Sequence, residues 1–167
     1  ARLDPRTGRP RWLRRFSVPL RPQTRTAQPW EIGGPVVLRS GVACLSPGLD
    51  EWLLLDEDTG NVLKRHPIGP GTIFGDPEYL LAFGPDATGR EQLIGVGSDI
   101  IAIDPSDGST RLWALSSANR DVLMERPNRG DRHGVRGRVH ALSNGLVVPF
   151  GDAIAVVDVN DGRIREV

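Results

Sequence analysis

One short pattern occurs four times in this chain: an apolar run, an Asp, two free positions, a Thr or Asp, then a Gly. It reads RLDPRTGR at the start, WLLLDEDTGN and IIAIDPSDGS in the middle, and AIAVVDVNDGR near the end. The Asp residues are Asp4, Asp56, Asp104 and Asp158, and the glycines Gly8, Gly60, Gly108 and Gly162 follow four positions later. Successive Asp residues lie 52, 48 and 54 residues apart. Self-similarity at a period of about 20–50 residues marks a repeat architecture. The period and the strand-like content point to four-stranded β-propeller blades rather than helical repeats.

The last unit shows how a blade is read. RVHAL (138–142) is a first strand, SNG a turn, LVVPF (146–150) a second strand and AIAVVD (153–158) a third. VNDG then turns into a fourth strand, RIREV (163–167), and Gly145 is expected to supply a positive φ in the SNG turn. Two earlier units follow the same order. The expected fold is all-β: a hairpin over 1–16, blades over 30–66, 78–115 and 137–167, and a long inter-blade loop over 114–137. That is about three and a half blades, against about four to eight in a closed propeller. The chain begins within a unit, so it is expected to be a segment of a larger ring. Continuation of the polypeptide beyond both ends is favoured over association of chains.

The Asp and Gly have a structural role in this reading. An Asp at a turn entrance accepts hydrogen bonds from amides two or three residues on, and the Gly takes the left-handed conformation that ends the turn in a bulge. Calcium binding by these carboxylates is the weaker alternative, because DPSDG lacks the longer ligand series of a calcium loop. The third strands are almost wholly apolar, as expected for strands covered on both faces. Helix-like stretches are short, chiefly SSANRDVLMER (116–126), closed by Pro127.

LDPRTGRPRW resembles the repeat of the pyrroloquinoline-quinone (PQQ)-like, or quinoprotein alcohol dehydrogenase-like, β-propellers. Asp4, Thr7, Gly8 and Trp12 match that pattern in full. In the second copy Lys64 stands where the pattern has Trp; in the third, Trp113 comes one place late; in the fourth, the position is Glu166. The resemblance covers nearly the whole chain and implies that Trp12 and Trp113 dock one blade on the next, with incomplete docking elsewhere. It also implies a bacterial protein, in the periplasm or at the cell surface, with the cytoplasm as the alternative. Some members of the family oxidise alcohols or sugars with the quinone. Many bind no cofactor and act as scaffolds.

The residues favour the scaffold. The dehydrogenases often carry adjacent cysteines, and this chain has only Cys44, read as a small buried hydrophobe. No Glu, Asn and Asp set for calcium stands out. The expectation is therefore a non-enzymatic interaction module without cofactor or metal, partnered by further blades and by protein. The alternatives are part of a quinone-dependent dehydrogenase, or a ligand- or carbohydrate-sensing propeller, for which Trp30, Phe74 and Tyr79 are the loop aromatics. His66, His133 and His140 show no metal-ligand spacing.

Charge is balanced at 21 basic and 21 acidic residues, which argues against a nucleic-acid partner. No apolar stretch approaches the ~18 residues of a membrane span. Lys64 is the single Lys among the basic residues, a bias read as genomic composition. The inter-blade segments 17–34, 67–77 and 114–137 share one end of the blades, where binding is expected. The candidate face there comprises Trp30, Arg126, Arg129, Arg132 and His133, with Arg136 and Arg138 close in sequence. The RGD at 129–131, similar to an integrin-recognition tripeptide, carries little weight in a chain so rich in Arg, Gly and Asp.

Overall fold

The computed structural model describes residues 2–4, 6–13, 34–46, 50–69, 71–75, 77–85, 88–97, 99–115, 138–150 and 153–166. Among them every regular element is a β-strand. A hairpin of β1 (Arg2–Leu3) and β2 (Pro10–Trp12) comes first. The first sheet is a meander of β3 (Val36–Leu38), β4 (Gly41–Ser46), β5 (Glu51–Leu55) and β6 (Val62–Pro67). The second sheet is β7 (Pro77–Phe83), β8 (Gln92–Gly97), β9 (Ile100–Ile103) and β10 (Arg111–Ala114). The third is β11 (His140–Ala141), β12 (Gly145–Phe150), β13 (Ala153–Asp158) and β14 (Ile164–Glu166). All pairings are antiparallel between strands consecutive in sequence.

Successive side chains of a strand point to opposite faces, so a strand apolar at every position must be covered twice. The second sheet meets that requirement. Leu80, Leu93, Ile101 and Ile103 pack against Leu38, Ala43, Leu45, Trp52 and Leu54 of the first sheet. The alternate residues Ile94, Val96, Ile100 and Ala102 pack with Leu146, Val148 and Val157 of the third. The first sheet turns its other face, with Val42, Leu53 and Leu55, toward Trp12 of the hairpin. The units thus pack in chain order, each on the next.

The third sheet breaks the series on its outward face. Leu146, Val148, Ala155 and Val157 are buried toward the second sheet. Register places Val147 opposite Val156 and Pro149 opposite Ile154 on the other face. There Ile154 is 62% exposed, and Val147, Pro149 and Val156 are half-buried. Ile154 and Val156 stand four and two positions before their Asp. In the second sheet those positions are Ile100 and Ala102, the residues that receive the third sheet.

Several expectations change. Gly145 opens β12 without a positive φ. A Cβ there would lie 2.8 Å from the Val157 carbonyl oxygen, so close approach of backbone requires this glycine. Phe74 is buried and Tyr79 lies in β7, so neither is an exposed loop aromatic. The segment after β6 is a closed turn: the Gly69 amide donates to the Gly75 carbonyl at 2.6 Å and the Gly75 amide to the Thr72 carbonyl at 3.3 Å. His66 lies within β6. Cys44 is half-buried beside Val42, Leu53 and Leu55. The helix-like stretch at 116–126 lies outside the described residues.

Ile94 is fully buried between the second and third sheets. Ile94→Ala is expected to cost about 2–5 kcal/mol in urea unfolding. Ile154→Ala, on the exposed face, is expected to stay within about 0.5 kcal/mol.

Candidate functional site

The four Asp-to-Gly turns share one hydrogen-bond scheme. The Gly amide donates to the Asp carbonyl at 2.8 Å in the first turn and 2.9 Å in the other three. The Asp Oδ1 accepts from the amide two residues on: Arg6, Asp58, Ser106 and Asn160, at 2.8, 3.1, 2.8 and 2.8 Å. Gly8, Gly60, Gly108 and Gly162 have φ of 66, 71, 66 and 71°, a left-handed conformation that costs glycine little. The residue three after the Asp caps the far side of the turn. Thr7 and Thr59 accept through Oγ1 from the amides of Arg9 and Asn61; Asp107 and Asp161 accept through Oδ1 from Ser109 and Arg163. This is why Thr and Asp interchange at that position.

The third turn contains one extra residue. The Asp amide donates to the carbonyl five residues on in three turns, and six on in the third, where Asp104 pairs with Thr110. The bulge that follows keeps the same phase. Trp12, Lys64, Trp113 and Glu166 all stand opposite the residue two before the Asp: Arg2, Leu54, Ala102 and Val156. Trp113 is late in sequence but in place in register.

That shared position is where one unit meets the next. The Trp12 indole N–H donates to the Glu57 carbonyl at 2.9 Å, and its ring lies over Gly60, where a Cβ would be 2.6 Å from it. Trp113 repeats this on the third sheet. Its N–H donates to the Val159 carbonyl at 2.6 Å and to Gln92 Oε1 at 3.0 Å, and its ring lies over Gly162. The glycine therefore serves twice, as a left-handed turn residue and as a flat landing for an aromatic ring.

Between the first and second sheets the work of the Trp is divided. Lys64 Nζ donates to the Ser106 carbonyl in the next turn. The ring over Gly108 is that of His66, two residues further along β6. His66 stacks on the fully buried Trp52 with centroids 4.5 Å apart and planes at 18°. The docking expected to be incomplete at Lys64 is thus made by two side chains. Sequence alone does not show this, because the ring comes from a position the repeat leaves free.

Other polar groups tie the units together. Both carboxylate oxygens of Glu91 accept from the Arg39 amide, at 2.8 and 3.0 Å, in the turn between β3 and β4. The Tyr79 hydroxyl accepts from the Val139 amide at 2.7 Å. The Arg111 guanidinium donates to the Ile73 carbonyl. Gln92, 4% exposed and otherwise among apolar neighbours, is explained by its bond to Trp113. An isolated Gln in an apolar strand is the one sequence signal that marks such a contact.

The carboxylates are held ionised by their turns. Amides of Arg6 and Asn160 lower the pKa of Asp4 and Asp158, and the Thr59 hydroxyl lowers that of Asp56. Asp107, bonded first to the Thr110 hydroxyl, is lowered to about 2. Arg165 also pairs with Asp158. The Oδ1 atoms of Asp4, Asp56, Asp104 and Asp158 accept from within the turn. Among the described residues no group of three or more His, Cys, Asp or Glu is placed to hold a metal ion. No described helix is long and apolar enough to cross a membrane.

Trp30, Arg126, Arg129, Arg132, His133 and Arg136 lie outside the described residues, while Arg138 is exposed before β11. The chain matches no protein-family model and no curated protein sequence.

Trp113→Phe keeps a ring over Gly162 and strands two acceptors; it is expected to cost about 1–3 kcal/mol in chemical denaturation. Trp113→Ala is expected to cost about 3–5 kcal/mol. The carboxylates set an acid limit. A folded-state pKa below 3.8 adds stability that is full above that value and is lost as pH falls through the folded one. The thermal midpoint is expected to fall between about pH 4 and pH 2, less steeply in Asp56→Asn and Asp107→Asn.

Proposed function

We propose that this chain is a segment of a PQQ-like repeat β-propeller that acts as a non-enzymatic scaffold for protein partners. The observation that carries the reading is the same docking register at three successive junctions. At each, groups at the end of a fourth strand meet a turn carbonyl and a left-handed Gly of the next unit. A repeating junction of this kind propagates one unit onto the next, as the blades of a ring require. The outward face of the third sheet supports a continuing series. Ile154 and Val156 occupy the positions that receive a following sheet one unit earlier, and apolar surface of that kind is a docking face.

Gln92, Tyr79, Glu91 and the turn carboxylates commit polar atoms to turns and junctions, which favours binding over chemistry. The partner surface in this reading lies at the end carrying 17–34 and 114–137, with Trp30, Arg126, Arg129, Arg132 and His133. Long loops on a rigid sheet are where recognition resides.

Two experiments test the two halves of the proposal. Added quinone and calcium are expected to leave the absorbance of the full polypeptide unchanged, with no dye reduction by alcohols or sugars; turnover would overturn the non-enzymatic reading. The 167-residue chain is expected to self-associate in sedimentation through its open sheet face, and Ile154→Lys to weaken that association. A wild-type chain that remains monomeric at high concentration argues against a face that accepts a further sheet.

A further inference from the structure

The junction between the first and second sheets differs from its two neighbours in one chemical respect: its ring can gain a proton. His66 lies over Gly108 with its imidazole stacked on Trp52, and Trp52 in turn meets the edge of Phe74 at 6.2 Å. His66 Nε2 is sealed from solvent and has no hydrogen-bond partner among the described residues; the same holds for Trp52 Nε1. A neutral imidazole tolerates one unsatisfied nitrogen, whereas an imidazolium has an N–H on both. Protonation therefore places a sealed donor, and part of a positive charge, where the described residues offer no acceptor.

The charged surroundings reinforce this. Lys64 sits two residues away on β6 and opposes a second cation. Asp107, in the facing turn, favours one. Its carboxylate, though, already accepts from Ser109 and Thr110. Glu51 and Arg65 pair with each other at 3.1 Å, and register puts them on the opposite face of the sheet from His66. Arg111 of the second sheet is bonded to the Ile73 carbonyl. The Trp52 ring face attracts a cation, but an indole stacked parallel gives the sealed Nε2 no acceptor.

We propose that the junction between the first and second sheets is a pH-operated seam, closed while His66 is neutral and loosened when His66 takes up a proton, between two Trp-closed junctions that do not respond. Burial first, and Lys64 second, lower the His66 pKa below the ordinary 6.5. A lowered histidine pKa means that the unfolded or open form binds the proton more readily. Stability is full above about 6.5 and declines as pH falls from there toward the folded value. The surface released includes Leu38, Leu45, Leu80, Ile101 and Ile103. The inference rests on the junction alone and stands whether or not the chain is part of a propeller.

The thermal midpoint of the full chain, measured from pH 7.5 to pH 5, tests it. The wild-type midpoint is expected to fall by about 2–4 °C, the response of a domain this size to a change of about 1 kcal/mol. His66→Phe keeps a ring and removes the titration, so its midpoint is expected to lack that fall. Trp113→Phe, at a neighbouring junction, is expected to keep it. A flat wild-type profile, or the same fall in His66→Phe, overturns the proposal. Should His66→Phe not fold, NMR titration of the His66 imidazole in the wild-type chain decides: a midpoint below 6.5 supports the seam, and one at or above 6.5 overturns it.

Discussion

The structure depends on a backbone glycine that has no side chain to obstruct an approaching ring. Gly60 and Gly162 are left-handed because they end a turn, and they are bare because they are glycine. The second property lets Trp12 and Trp113 lie flat on the next unit while each indole N–H reaches a turn carbonyl. A Cβ at either glycine would push the ring away and open the face behind it. One residue therefore couples the local conformation of a hairpin to the packing of successive sheets, and any change at it acts on both.

Geometry, more than residue identity, is kept at these junctions. A Trp supplies a donor and a ring on one side chain, which suits a site that is part apolar and part polar. Lys64 and His66 supply the same two groups from two positions of β6. The arrangement closes the junction with an imidazole where the other two have an indole. The extra residue in the third turn makes the same point. It shifts Trp113 by one place in sequence, and the bulge restores its register opposite Ala102.

Several polar side chains are directed at the architecture. The turn carboxylates accept from amides and hydroxyls, Gln92 from an indole, and Tyr79 and Glu91 from amides of neighbouring units. Side chains committed in this way hold a frame. The apolar outward face of the third sheet is the exception, because Ile154 repeats the position of a core residue without the cover.

Strand order was legible in the sequence because each strand is bounded by its own turn chemistry, and because apolar runs such as IIAI must be covered twice. The role of the repeated Asp and Gly was legible for the same reason: a carboxylate caps amides two and three residues away, entirely within the turn. Trp12 and Trp113 were legible as docking residues, although Trp113 comes one place late in sequence. What tertiary structure alone decided lies at the contacts between units. Gly145 looked like a turn residue and proved to be a close approach to Val157. Phe74 and Tyr79 looked like loop aromatics, yet one is core and the other accepts from an amide 60 residues away. His66 belongs to no motif. Turn chemistry acts over a few bonds and is written in neighbouring residues. Docking joins residues 42 to 46 positions apart, so its participants are chosen by register and packing between sheets.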